Sequence, residues 1–429
     1  MSFNFDDDQL AVINSTYDNI VVVAGAGSGK TTVLTERIRK LLNDGVKPES
    51  IVAITFTKMA AEEMTERLSN TEGYDKMFIG TIHAFANELY KGSGVQFSIL
   101  DDESEMYLMQ DICKDSRVHI KYSVYTDFKS QRYNNGQVYE YITQKYGFSV
   151  MEELRHILEY SPNDKYPITV SLLAKIRNYI TFDELIKRCT AYFEQTGNYV
   201  DYLFVDEFQD VGNLEYEFIK CLNARHNFVV GDDYQAIYGF KGATDKYFKY
   251  LVNNDRWKTY LLKNNYRCGS QIINYANTII NDNVIDYDEE LKPAICKSNI
   301  KGSIVKRNIR SIINKIKLDH KVNNTYYKDW FILCRTNKDV NIVMDLLTNS
   351  EIPCSTFKKS SMNLVDMKQL LNDDVVKVIT IHSAKGLEAD NVYVYWDNPE
   401  NSRYGRADIE DFKLYYVACT RARHNLFLL

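Results

Sequence analysis

Short runs of consecutive apolar residues alternate along this chain with longer stretches whose apolar positions recur every three to four residues. Ile20–Val23 is followed by Val33–Leu42, Ile51–Thr55 by Met59–Leu68, Phe78–Gly80 by His83–Tyr90, and Tyr202–Val205 by Leu214–Leu222, with Phe228–Gly231 beyond. A strand reads as an unbroken apolar run when helices cover both faces of its sheet, and the longer stretches carry the helical period. The pattern predicts an α/β fold on a parallel sheet. From about residue 87 to 198 the strand signals fade, and Glu103–Cys113, Val150–Glu159 and Phe182–Thr196 read as helices. An all-helical insertion inside the first α/β unit is expected there. The alternation resumes after Trp257, with Tyr260–Leu262, Ser303–Lys306, Trp330–Cys334, Val376–Ile381 and Asn391–Tyr395 as strands. Gln271–Ile280, Val340–Leu347 and Phe412–Cys419 read as the helices between them. Two α/β lobes imply a cleft between them, a usual place for a ligand.

Composition narrows the class. A chain of 429 residues can bury several cores. No apolar stretch approaches membrane-spanning length, and Met1–Asp8 lacks a basic or apolar leader, so a cytoplasmic protein is expected. Eight cysteines are scattered from Cys113 to Cys419 without C-x-x-C spacing, which points to reduced thiols, with no zinc site and no disulfide framework. With a net charge of −6, any polyanion must meet a local basic groove, not the global field. The stretch Lys121–Phe148 interleaves Lys121, Lys129, Arg132 and Lys145 with six tyrosines. It reads either as a nucleic-acid backbone contact or as a partly buried helix face.

The chemistry begins at Ala24-Gly-Ala-Gly-Ser-Gly-Lys-Thr-Thr32, between the first strand and the first long helix. Glycines at Gly25, Gly27 and Gly29 let backbone N–H groups close on phosphate oxygens. Ala26, Ser28 and Thr32 complete the cradle, and Ala24 stands where glycine is usual. Lys30 brings a charge to the β/γ-phosphates and Thr31 a hydroxyl to Mg²⁺. Tyr202-Leu-Phe-Val-Asp-Glu-Phe-Gln-Asp210 ends a buried strand on acids: Asp206 suits Mg²⁺, and Glu207 suits deprotonation of the attacking water. In the second lobe Arg267 and Arg421 read either as guanidinium groups reaching a γ-phosphate from across the cleft or as surface salt-bridge partners.

These segments, taken in order, resemble the UvrD/Rep/PcrA-like helicases of superfamily 1. Gln9 stands at that family's adenine-reading glutamine, and Ile54-Thr-Phe-Thr-Lys-Met-Ala-Ala-Glu-Glu-Met64 resembles its next motif, with Lys58-Met59 in place of the commoner Asn-Lys. Gly80-Thr-Ile-His-Ala-Phe85, Asp206–Asp210, Val230–Ala243, Asn265-Tyr-Arg267, Thr380–Glu388 and Tyr416–Arg423 extend the match along nearly the whole chain. The resemblance implies two RecA-like P-loop NTPase domains with a helical insertion in the first. Their expected limits are residues 1–86 with 199–258, then 87–198 for the insertion, and 259–429 for the second domain.

The same resemblance implies an ATP- and Mg²⁺-dependent 3′-to-5′ translocase and helicase acting on single-stranded DNA and 3′-tailed duplex, working as a monomer. In it Tyr266 stacks on adenine, Arg267 and Arg421 reach the γ-phosphate, Glu388 meets the ribose, and Gln235 links the γ-phosphate to the DNA track. Arg37 is counted with the nucleotide contacts. Phe240 occupies the place of a base-stacking aromatic, followed by Lys241 where the family often has Arg. Phe56, Thr57, Thr81, His83, Tyr238, Thr380 and His382 are the other expected strand contacts, with His83 and His382 equally readable as structural histidines. The family's large second insertion, subdomain 2B, should be missing, since only about twenty residues separate Pro353–Phe357 from Thr380. An ending at Leu429 leaves no partner-binding tail in this reading. A motor subunit of a larger repair, nuclease or phage-defence complex is the alternative. A nucleotide-gated scaffold is disfavoured because Lys30, Asp206, Glu207, Gln235, Arg267 and Arg421 are all present.

Overall fold

The computed structural model describes residues 4–100, 102–115, 117–121, 123–125, 128, 138–158, 179–283, 295–323, 325–357, 364–397, 399 and 408–429. The first lobe is built on β1 (Asn19–Ala24), β2 (Ile51–Thr55) and β3 (Phe78–Thr81). Beyond a small ladder of β4 (Ser98–Leu100) and β5 (Tyr179–Thr181), it continues through β6 (Tyr202–Val205), β7 (His226–Gly231) and β8 (Lys258–Leu262). Its sheet runs β3-β2-β6-β7-β1-β8, with every neighbouring pair parallel. After a short pair of β9 (Asn264–Asn265) and β10 (Ile295–Cys296), the second lobe uses β11 (Ser303–Lys306), β12 (Trp330–Cys334), β13 (Cys354–Ser355), β14 (Val376–Thr380), β15 (Ala389–Tyr395) and β16 (Ala422–Leu428). They form a second all-parallel sheet in the order β11-β16-β15-β12-β14-β13.

The apolar runs have the expected cause. In β1, Val21 and Val23 enter one core while Ile20, Val22 and Ala24 enter another, so successive side chains feed opposite faces and both faces are covered. In β12, Phe331 and Leu333 face one second-lobe core, and Trp330, Ile332 and Cys334 face the other.

Three assignments change. The strand Tyr260–Leu262, given by sequence to the second lobe, belongs to β8 and closes the first sheet by pairing with β1. The insertion is not purely helical, since β4 and β5 pair in parallel across its base. Three-residue strands are too short to show a period in the sequence. The helix Phe182–Thr196, counted with the insertion, sends Leu185, Ile186, Cys189 and Phe193 into the same core as Val21 and Val205. The insertion has its own small core around Tyr125, Phe128, Ile142 and Met151. Tyr125 is therefore a core residue, and Lys145 lies over the rings of Tyr141 and Tyr146. Lys129 and Arg132 lie outside the described residues.

Between β13 and β14 the helix Leu364–Asn372 stands where relatives would need room for a domain. Met367 is buried in the second-lobe core, and Lys368 forms an ion pair with Glu66 of the first lobe. Twenty residues separate Ser355 from Val376. A core that folds independently needs more than about 40 residues, so this span is too short to hold one. No helix among the described residues is long and apolar enough to cross a membrane.

Candidate active site between the lobes

The helix Lys30–Asn43 begins at Gly29 with no side chain bonded to its first amides, which leaves those N–H groups free to meet phosphate. The helices that follow β2, β3 and β14 are instead capped by Thr57, Thr81 and Thr380, whose hydroxyls accept from the amides of Ala60, Ala84 and Ser383. Gly27 and Gly29 have φ of +65° and +84°. A Cβ on Gly27 would lie 2.7 Å from Arg267 Cβ and 2.8 Å from Asn265 Nδ2, so only glycine lets the second lobe come this close. Asn265 is fully buried there and donates to the Ala26 carbonyl at 2.5 Å, while the Tyr266 amide donates to Gly27 at 2.9 Å.

The loop opens into a cleft between the two lobes. Lys30, Thr31, Asp206, Glu207 and Gln235 line it from the first lobe, and Arg267, Lys385 and Arg421 from the second. Lys30 Nζ donates to the Ala24 carbonyl at 3.3 Å and lies 3.9 Å from Asp232. Thr31 Oγ1 donates to Asp206 Oδ2 at 2.9 Å. Burial and the adjacent Glu207 charge push the Asp206 carboxyl well above its ordinary value. For Glu207, burial opposes the charge, but Lys30, Lys385 and Arg421 outweigh it and hold the group below the usual range. Two adjacent acids are thus driven apart, with the charge on Glu207 the more strongly supported. Glu207 also sits at φ +53°, a left-handed conformation that costs a non-glycine residue about 1–3 kcal/mol. Gln209 fixes its carboxylate, donating to Oε2 at 2.5 Å while accepting from the Asp232 amide at 3.0 Å.

The second lobe reaches in through buried cations. Lys385 Nζ donates to Asp210 Oδ2 at 2.5 Å and to the Gln235 carbonyl at 2.9 Å. Arg421 is 1% exposed, and donates to the carbonyls of Val417 and Leu387 and, at 3.3 Å, to Gln235 Oε1. Burial lowers it only to about 10, so it keeps its charge at neutral pH. Gln235 in turn donates to Asp232 at 2.6 Å, completing a relay Asp232–Gln235–Arg421 across the cleft. Arg267 lines the cleft, but its Nε is engaged by Glu388, which Arg423 also grips. Glu388, expected at the ribose, is therefore held between two arginines.

Gln9 sits against the phosphate loop, donating from Nε2 to the Ser28 carbonyl at 3.1 Å. Arg37 requires correction. It is absent from the cleft, two helical turns past Lys30, and its Nη1 donates to the carbonyls of Val12, Ile13 and Ser15 at the far end of the Gln9 helix. It is a cation on a helix C-terminus, tying the Gln9 helix to the phosphate-loop helix. Sequence reasoning instead missed Arg67, which lines the cleft, bonds Thr32 Oγ1 at 2.8 Å and is held by Glu63 four residues earlier. The (i, i+4) spacing of Glu63 and Arg67 on the helix Lys58–Leu68 was the available signal.

Beside the cleft runs an aromatic row. Phe56 stacks on Tyr238 at 5.4 Å, Tyr238 lies 6.1 Å from Phe240, and Phe240 meets His382 of the second lobe edge-on at 5.3 Å. Phe240 is 53% exposed. Phe56 and Tyr238 also line the nucleotide cleft, so one wall serves both surfaces. His83 stands apart from this row, edge-on to Phe182 at 4.9 Å, and burial lowers its pKa so that it is neutral near pH 7. Lys241 follows Phe240 in the turn Gly239–Lys241; its side chain lies outside the described residues.

The profile of the UvrD/REP helicase N-terminal domain matches residues 5–255, and that of the UvrD-like helicase C-terminal domain matches residues 357–429. The chain belongs to the UvrD/REP helicase family. It is 29% identical over 471 residues to a probable DNA helicase of Mycoplasma pneumoniae, covering 99% of this chain and 83% of that protein. It is 30% identical over 369 residues to the ATP-dependent DNA helicase Rep of Escherichia coli, covering 78% of this chain and 52% of Rep. Identity to the ATP-dependent DNA helicase PcrA of Staphylococcus aureus is 26% over 381 residues, covering 82% of this chain and 50% of PcrA. The chain thus spans about half the length of Rep and PcrA. The two α/β lobes are the family's RecA-like pair.

Proposed function

We propose that this chain is an ATP-driven motor that moves 3′ to 5′ along single-stranded DNA and separates 3′-tailed duplex. The observation that carries this reading is the cleft itself. The Thr31–Asp206 pair, the ionised Glu207 and the buried Arg421 converge there, behind a wall of Phe56 and Tyr238 that continues into the aromatic row. The direction of travel follows the family resemblance. In this reading the nucleotide lobe comprises residues 1–86 and 182–262, the insertion lies between those two segments, and the second lobe follows.

Thr31 Oγ1 and the Asp206 carboxylate form a hard-oxygen pair that would hold Mg²⁺. Bound there, the ion would supply neutralising charge for phosphoryl transfer. Lys30 and the loop amides hold the phosphates. Glu207 takes a proton from the water that attacks the γ-phosphorus, the bond to the β–γ bridging oxygen breaks, and ADP and phosphate result. Arg421 stabilises the charge that gathers on the equatorial oxygens. Bases stacking on Phe240 gain on the order of 1–3 kcal/mol each without reading sequence, which suits a motor that must step along any strand.

The deciding experiment is ATP hydrolysis measured with single-stranded DNA, RNA, duplex and no nucleic acid. Strong stimulation by single-stranded DNA is expected, and a rate indifferent to all three would end this reading. Phe240→Ala should leave basal ATP hydrolysis nearly intact while lowering stepping speed on a labelled oligonucleotide severalfold. An unchanged speed would remove Phe240 from the track.

The missing subdomain 2B gives a further expectation. The family resemblance makes that subdomain a restraint on a lone molecule, so here the monomer should unwind short 3′-tailed duplex. Single-turnover unwinding, with protein below the DNA concentration, tests this. Activity rising as a steep power of protein concentration would show that a second subunit is needed.

A further inference from the structure

One carboxylate organises both residues expected to meet the nucleotide base. Asp6 is the N-cap of the helix Asp7–Ile13, its Oδ1 accepting from the Gln9 amide at 2.7 Å while its own amide donates to Gln9 Oε1 at 3.2 Å. This reciprocal pair fixes the Gln9 side chain, whose Nε2 lies 3.1 Å from where a Cβ on Gly29 would stand. The other oxygen, Oδ2, accepts from the Tyr266 hydroxyl and, at 2.6 Å, from Asn264 Nδ2. Tyr266 is 44% exposed, and its backbone is already anchored to Gly27. Its remaining freedom is the swing of the side chain about Cα–Cβ, which the hydroxyl bond to Asp6 restrains. Two elements 258 residues apart in sequence, the entry to the first helix and the exit from β9, thus meet on a single side chain.

We propose that Asp6 is a positioning residue for base recognition, setting the edge-reading amide of Gln9 and the stacking ring of Tyr266 in one fixed relation so that ATP is chosen over other purine triphosphates. The inference rests on reading the cleft as an ATP site. Neither Gln9 nor Tyr266 alone defines the slot for a planar base. An amide that reads the edge discriminates only if the ring that holds the face keeps the base in its plane, and Asp6 supplies that coupling. Burial works against the Asp6 charge, yet the bonds from Tyr266, Gln9 and Asn264 outweigh it and keep the carboxyl below its ordinary value. The acceptor is therefore an anion at neutral pH, the stronger partner for a phenol.

The test compares kcat and KM for ATP and GTP in the full chain with saturating single-stranded DNA, in wild type, Asp6→Ala, Asp6→Asn and Tyr266→Phe. Loss of the three hydrogen bonds to the carboxylate should raise the ATP KM of Asp6→Ala about tenfold and shrink the ATP-over-GTP ratio of kcat/KM at least about fivefold. The loss should lie in KM, not in kcat. Asp6→Asn still caps the helix, so it should fold even if Asp6→Ala does not, and should show a smaller fall in the ratio. Tyr266→Phe should lower the ratio too, and adding it to Asp6→Ala should cost less than the sum of the two. A wild-type ATP-over-GTP ratio in both Asp6→Asn and Tyr266→Phe, or in Asp6→Ala, overturns the proposal while leaving the ATP site standing. A wild-type chain that binds neither fluorescent ATP nor fluorescent GTP overturns the underlying reading instead.

Discussion

Glu207→Gln is expected to lower DNA-stimulated ATP turnover by about 10²–10⁴-fold, the usual contribution of a general base, while nucleotide affinity stays close to wild type. The reason is local. Glutamine keeps an oxygen for the Gln209 amide, 2.5 Å away, and keeps the backbone in place, but it cannot accept a proton from water. It also removes the negative charge that Lys30, Lys385 and Arg421 attract, so those cations remain available to phosphate. Lys30→Ala is the contrasting case, in which affinity itself should fall. Rapid-quench turnover together with equilibrium binding of a fluorescent ATP analogue separates the two. Turnover near wild type in Glu207→Gln would remove the base from this residue.

Arg421 should show the larger effect. If its guanidinium supplies transition-state charge, Arg421→Ala should cost about 10³–10⁵ in kcat, or about 4–7 kcal/mol. Its surroundings complicate the readout, because the carbonyls of Val417 and Leu387 and Oε1 of Gln235 all lose a donor. The Val417 carbonyl still accepts from the Thr420 hydroxyl, but each acceptor left without a donor destabilises by about 1–3 kcal/mol, so thermal unfolding must be followed alongside. Arg421→Lys retains a charge but loses the planar fork that serves these acceptors at once. A folded Arg421→Lys protein with kcat within tenfold of wild type would reduce Arg421 to a structural role.

The lobes and most of the cleft were legible because their signals are local. A buried parallel strand must be apolar on both faces, so β2, β6 and β12 announce themselves residue by residue. A phosphate loop needs its glycines and lysine in fixed succession. What escaped depended on approach in three dimensions. Nothing in the order of residues tells whether Arg37 points to phosphate or to the carbonyls of the preceding helix, and the helix turn decides it. Arg67 reaches the cleft from a helix three dozen residues away from Thr32. Glu388 and Arg267 are separated by more than a hundred residues, so their pairing could not be read from spacing. The edge strand β8 was given to the wrong lobe because strand patterning reports that a segment is extended and not which sheet it joins.

The grip of Asn265 on the loop at Ala26, reinforced by Tyr266 on Gly27, has a mechanical consequence. A hold at these two points ties the second lobe to the phosphate cradle itself, so whatever binds in the cradle bears on both lobes at once. Arg421 in the cleft and His382 against Phe240 belong to the lobe so held, and the fuel site and the aromatic row thus share one mounting.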